Sequence, residues 1–377
     1  IEVVHSIISN EAGDLYILGN TGSSNFPVSS DAFQKIYGGG SFQSSFAFND
    51  FDHGSDLFIS KISSDGSELL HSTFWGGSNN DGLNKEIYKN YGDHFRGEII
   101  LDENENVLIV SSTNSTDLPL NDANLLIRNE NSQEALIGKF NPSLGSLLWA
   151  SYFGGSGAET GYAIKEFDHK VFITGTTASD DLEISPNALN VSRQGNYDGY
   201  IASFKANNGS LLNATYYGTP KEDQSFLMDY DYDGNIYIFG QTKGIISISP
   251  SVYSQPSSRQ FLAKIDSSLA SVLWQTALGS GQNKQDIVPS AFMVDECLNI
   301  YLSGWSGQSN TTGLPAIPNG NTFALPTTQD AFQTNTDGSD FYFMVLGHNA
   351  SQLQYASYFG GSDYEHVDGG TSRFSKD

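Results

Sequence analysis

The sequence predicts an all-β protein built from repeated four-stranded antiparallel units, and three observations carry that prediction. Thirty-nine glycines, 19 tyrosines and 24 phenylalanines stand against only 16% charged residues in a chain of 377. That is a composition of turns and β-formers, without the Ala, Glu, Lys and Leu that helical surfaces need. Apolar residues alternate with period two in short runs bounded by Gly, Asn, Asp and Ser, the signal of strands and hairpins. Finally, two strand signatures recur in strict alternation from one end of the chain to the other.

The first signature is an apolar-aromatic strand ending in a small residue and Thr or Ser: LYILGNT at 15–21, VLIVSST at 107–113, VFITGTT at 171–177, IYIFGQT at 236–242 and IYLSGWS at 300–306. The second is a strand pair such as ALIGKFNPSLGSLLWASYFGGS at 135–156, with counterparts at 56–78, 199–219, 261–280 and 341–362. Taking Gly19, Ser111, Gly175, Gly240 and Gly304 as markers, the spacings are 92, 64, 65 and 64 residues, so the unit is about 64 and one interval carries an insertion. Four strands, a to d, fit each unit. In the third they are GYAIKEF, KVFITGTT, GYIASFK and LLNATYYG, with FDH in the a–b turn and ANNGS in the c–d turn. The Asn-Asn-Gly run supplies the positive φ that a tight hairpin needs. A four-stranded meander repeated radially is a β-propeller blade, buried on both faces by its neighbours. Five full blades are expected, at about 1–78, 79–156, 157–219, 220–280 and 281–362, with 363–377 beginning a further one. The chain is therefore read as a single propeller or most of one: either a five-bladed ring closed by its own ends or, as preferred, part of a longer polypeptide whose further blades complete the ring.

The segments SYFGGSGAETGYAI and VFITGTTASDDLEISPNALN, echoed by SYFGGSDYEH at 357–366 and LPTTQDAFQ at 325–333, resemble the bacterial seven-bladed β-propeller (SBBP) repeat family over nearly the whole chain. The resemblance implies a module of a large secreted or surface protein, akin to gliding and adhesion proteins of the type IX export route. It also implies an extracellular or cell-surface location and partners that are surface or secretion-system proteins, or glycans. The sequence departs from that pattern in showing five blades, in TALGS at 276–280, and in Arg259 where other units have Asp56, Glu134, Asp198 and Asp340.

Charge and cysteine usage narrow the function. With 43 acidic against 18 basic side chains, the surface repels phosphate backbones, so nucleic acid is not an expected partner. No run of eighteen apolar residues exists, so no helical membrane insertion is expected. The single cysteine, Cys297, excludes an intrachain disulfide and reads as a small buried apolar residue.

Strand order puts the b–c and d–a loops on one face of the disc. Spacing from the strand-b marker to the residue opening strand c is 37 in the first unit and 36 in the fifth, against 23, 23 and 19 elsewhere. The remaining insertion, 79–98, is a d–a connection, so all three project from one face, as a contact surface would. Their aromatic content singles out Tyr37, Phe42, Phe46, Phe48, Phe51, Tyr88, Tyr91, His94 and Phe95 as candidate ligand- or partner-binding residues. These rings either cap the blades as a small core or form a platform for a glycan or protein. DYDYDGN at 229–235 places Asp229, Asp231 and Asp233 at alternate positions before Gly234, the opening of a calcium loop. Position 240, where the acidic twelfth ligand belongs, is Gly. The segment reads as a hairpin turn or as a weak calcium site, and no other cofactor is expected. No metalloprotease helix, nucleophile elbow or phosphate loop occurs, and the seven histidines are dispersed. The expectation is therefore a non-enzymatic module for protein or glycan interaction, in adhesion or surface display. A carbohydrate-active enzyme or lectin using the central funnel is the alternative, and a passive filament spacer is a third reading.

Overall fold

In the computed structural model, which describes residues 1–45, 49–119, 132–307, 317 and 320–367, five four-stranded antiparallel sheets form the blades of a β-propeller. The first consists of Glu2–Ser9, Leu15–Thr21, Asp56–Ile62 and Leu69–Trp75. The third, the most regular, consists of Ala163–Phe167, Lys170–Thr177, Asp198–Lys205 and Leu211–Tyr217. In every blade the strands pair in sequence order, and the first strands of successive blades lie against one another around the hub. A short extra hairpin, Gln43–Ser45 with Asn49–Phe51, stands in the long b–c loop of the first blade.

Burial explains the alternation of the sequence. Trp75 is fully buried and meets Phe140 of the second blade edge-on at 5.2 Å. Phe153 in turn meets Phe204 of the third blade edge-on at 5.9 Å. The first two strands d thus end in an aromatic that inserts against the end of the next blade's strand c. Three a–b turns, those of the second, fourth and fifth blades, are built on one side chain each: Asp102 accepts the N–H groups of Asn104 and Asn106, Asp231 those of Asp233 and Asn235, and Asp295 that of Asn299. That is why Asp recurs there. Cys297 lies in such a turn and is exposed. Its expected burial is corrected, because a turn capped by the Asp295 carboxylate has no core to offer it.

The aromatic-Gly-Gly ending has an electrostatic reason. The N–H of Gly77, Gly155, Thr219, Ser280 and Gly361 donates to the carboxylate of Asp81, Glu159, Asp223, Asp286 and Glu365, respectively, at 2.7–3.0 Å. A second carboxylate, from the start of strand c, leans into the same turn. A Cβ on Gly76, Gly154 or Gly360 would collide with Asp56, Glu134 or Asp340. Burial raises the Asp81, Glu159 and Asp223 carboxyls to about 7, against the pull of the hydroxyl and amide donors around them.

Two outcomes are expected. Trp75→Ala empties the first joint and lowers stability by about 3–5 kcal/mol in urea unfolding. Glu159 holds, in the folded chain, a proton that the unfolded chain releases at a carboxylate's ordinary 4.5. Its contribution to stability therefore falls as pH rises from there to about 7. The stability of Glu159→Gln relative to the parent is expected to climb across that window; a pH-independent difference would contradict the assignment.

Candidate functional site: a charged groove opposite the insertions

The long d–a insertion does not stand out from its face. Residues 79–98 fold inward across the hub, ending in a short 3-10 turn, Tyr91–Phe95. Asn84 donates to the Tyr162 hydroxyl at 3.0 Å, Asn90 to Gln241 at 3.1 Å, and Gln224 to Asp93 at 3.3 Å. Arg96, buried, pairs with Asp93 at 3.0 Å, donates to the Pro289 carbonyl at 3.0 Å and lies 4.3 Å from the centre of the Phe226 ring. The insertion therefore reaches the third, fourth and fifth blades and fills the funnel mouth on that face.

This placement sorts the candidate aromatics. Phe51 and Phe95 are buried in one cluster with Leu83, and Val3 packs against it. Tyr91 stands edge-on to Trp305 at 5.8 Å. His94 is buried, which lowers it to about 4 and keeps it neutral, and its ring lies tilted against Tyr88 at 4.4 Å. Tyr37 lies edge-on to Phe74 at 5.8 Å and donates its hydroxyl to the Gly54 carbonyl. Only Phe42 and Tyr88 leave large areas open, at 59% and 43% exposure. Phe46 and Phe48 lie outside the described residues.

The three aspartates of the calcium-like segment do not converge. Asp229 accepts the Val294 N–H of the next blade at 2.7 Å, Asp231 pairs with Lys264 at 2.7 Å, and Asp233 is exposed in its turn. Among the described residues no three His, Cys, Asp or Glu side chains are arranged to hold a metal ion.

On the opposite face, where the a–b and c–d turns emerge, a cavity of about 460 Å³ opens between the second, third and fourth blades, walled by Leu101, Lys165, Glu166, Phe167, His169 and Tyr230. A second hollow of about 440 Å³ continues from it past Lys139, Lys205 and Asn207, sharing Asp102, Glu103, Glu166 and His169. The two make one elongated groove, each half within the usual size of small-ligand sites, about 300–1,000 Å³.

Its walls combine fixed charge with aromatic surface. Burial alone would raise the Asp102 carboxyl, but Lys139, 2.7 Å away, and Asn106 hold it below the usual range. Lys139 also donates to the Ala206 carbonyl, which fixes it between the two blades. Lys165 pairs with Glu98 at 2.5 Å. Burial raises Glu166, Lys139 opposing and Asp102 and Glu103 adding. Phe167 and Tyr230 form an aromatic wall with ring centres 5.1 Å apart.

The rim holds backbone strain. Phe167 pairs with Lys170, so Asp168 and His169 are the whole a–b turn, with φ of 48° and 60°. Such a turn favours Gly, Asn and Asp, and the His169 side chain there costs about 1–2 kcal/mol. The His169 carbonyl accepts the Ala206 N–H at 2.9 Å, anchoring the strained turn to the c–d turn beside it. Strain held in place by its surroundings gathers where side chains must be presented. Sequence reading passed over these residues because each sits in a hairpin turn. The available signal was FDH, a two-residue turn without glycine.

No family model matches the chain, so the seven-bladed repeat family finds no support there, and the structure has five blades. No curated protein matches it either. Solved structures similar in fold include a protein of unknown function from Bacteroides caccae, 9% identical, covering 95% of this chain and 82% of that one with a TM-score of 0.42. The polysaccharide lyase Uly1 is 11% identical, with coverages of 96% and 83% and a TM-score of 0.42. A PL25 ulvan lyase is also 11% identical, with coverages of 93% and 79% and a TM-score of 0.40. At these identities and scores the likeness assigns no activity to this chain. It does correct the expectation of a non-enzymatic module. Missing linear motifs do not separate enzymes from non-enzymes on a propeller, whose functional groups come from different blades.

His169→Gly should relax the strained turn. The expected result is a melting temperature equal to or above the parent's, by up to about 1 kcal/mol in stability, with loss of whatever the groove binds.

Proposed function

We propose that this protein binds a linear saccharide chain in the groove running from Tyr230 to Lys205, and that Glu166 and His169 are its acid–base groups. The observation that carries this reading is the continuity of the two hollows through Asp102, Glu103, Glu166 and His169, since an elongated groove suits a polymer better than a compact metabolite. Phe167 and Tyr230 offer ring faces to sugar C–H groups, and carboxylates and lysines of both signs offer partners to hydroxyl and acidic substituents. Burial raises the proton affinity of Glu166, and the His169 imidazole lines the same groove, side-chain types that serve general acid–base chemistry.

The test is titration with a panel of neutral and uronate-containing oligosaccharides, followed by assay for chain cleavage. Tyr230→Ala is expected to weaken binding about tenfold, the equivalent of 1.4 kcal/mol. Glu166→Gln is expected to leave binding nearly unchanged while slowing cleavage by about 10²–10⁴. No binding to any member of the panel, or equal binding by parent and Tyr230→Ala, would sink the reading.

A second reading, docking of a protein partner on the insertion-bearing face, is favoured by one observation. Ile36, Phe42 and Tyr88 are exposed there at 80%, 59% and 43%.

A further inference from the structure

Successive blades are joined by a repeated clasp. Phe33, in the b–c loop of the first blade, donates its N–H to the Leu144 carbonyl of the second blade's c–d turn at 3.0 Å. Its ring meets Phe140 edge-on at 5.6 Å. Leu189 of the third blade donates likewise to Leu269 of the fourth at 2.9 Å, and Tyr253 of the fourth to Ala350 of the fifth at 2.7 Å. All three acceptors are left-handed residues at a turn apex, with φ of 55°, 60° and 57°. Strand d adds to the grip: Trp149 donates to the Ala206 carbonyl of the third blade at 2.9 Å and covers Gly209 in the same turn.

The fifth blade carries the same parts. Gln333 takes its N–H to the Ser357 hydroxyl and receives the Tyr358 N–H, as Gln34 does with Thr73 and Phe74 in the first blade. Phe332, the counterpart of Phe33, is nevertheless 76% exposed. Phe359, the counterpart of buried Phe153, is 55% exposed, its ring centre 6.0 Å from that of Phe332. On the other side of the seam, the first blade presents unfilled receiving parts. Ile62 is half-buried where Phe140, Phe204, Ile265 and Leu346 are fully buried. In its c–d turn residues 64–67 are exposed, and a Cβ on Gly66 would meet nothing within 4 Å. Val4 and Ile7 of its innermost strand are also open to solvent. Complementary halves of one clasp thus stand in one molecule without covering each other.

We propose that the seam between the fifth and first blades is a docking site for a further four-stranded blade of this same repeat. Continuity with the four existing joints identifies the occupant: its strand c and c–d turn cover Phe359 and Phe332, and its own strand-d aromatic and b–c peg cover Ile62 and the Ser63–Ser67 turn. The Phe332 N–H turns back to the Tyr355 hydroxyl of its own blade at 3.2 Å, where Phe33, Leu189 and Tyr253 each donate to a turn carbonyl of the next blade.

The test is a chain extended after Ser362 by a copy of residues 157–219, compared with the 377-residue protein. The extension is expected to raise the melting temperature by about 4 °C or more and to abolish binding of an apolar fluorescent dye. In the extended chain Phe332→Ser should lower the melting temperature, whereas in the parent it should leave it unchanged and reduce dye binding. An extended, folded chain that binds dye as the parent does would overturn the proposal. So would an equal effect of Phe332→Ser on melting in both chains. If the extended chain does not fold, the parent decides: dye binding unaffected by Phe332→Ser with Phe359→Ser overturns it. Light scattering showing a parent dimer that Phe332→Ser dissolves would assign the seam to a second copy and overturn it as well.

Discussion

Each blade of this protein is a small twisted sheet with two apolar faces, and neither face can be left in water. The joint between consecutive blades is therefore the interaction on which everything else rests. It is made of the same few parts each time: a strand-d aromatic such as Trp75 or Phe153 set against the next strand c, and a b–c peg such as Phe33 or Tyr253 hydrogen-bonded to the next c–d turn. The carboxylates of the d–a turns, Asp81, Glu159 and Asp223, clip the chain as it passes from one blade to the next. Burying them next to a second acid is costly, and the cost is met by backbone N–H and hydroxyl donors placed around each one. Glycine at 76, 154 and 360 follows from this, since a Cβ there would occupy the space the carboxylates need.

The hub shows the same logic with charge inside it. A ring of innermost strands leaves a channel, and here one connection, residues 79–98, enters and fills it. Because the channel is lined by strand edges of several blades, the entering segment must satisfy polar groups from each. Asn84, Asn90, Asp93 and Arg96 do so across the third, fourth and fifth blades. Arg96 is tolerated because Asp93, a carbonyl and the Phe226 face surround it. Filling one mouth of the hub leaves the other as the concave surface, and the elongated groove lies there, where turns from neighbouring blades meet around Lys139, Glu166 and His169.

The blades were legible because their signals are local. Asp102, Asp231 and Asp295 mark the a–b turns through contacts within a few residues, and Gly19, Gly175, Gly240 and Gly304 mark strand b, where a Cβ would strike the strands beside it. The site was much less legible. Tyr88, His94 and Phe95 stand out in the sequence as loop aromatics, yet the fold turns them toward one another or into the core. Lys165, Glu166 and Tyr230 look like ordinary hairpin residues, and only the side-by-side packing of three blades makes them walls of one groove.

By itself, then, the sequence determined the strand content, the four-stranded repeat, the number of units and which loops are long, because period-two burial and turn chemistry act over a handful of neighbouring residues. The tertiary structure alone decided which face is filled and which is hollow, how acids distant in sequence come to share a turn, and where the clasp between blades is left open. Those features depend on how separate blades meet around an axis, and no spacing along the chain records that distance.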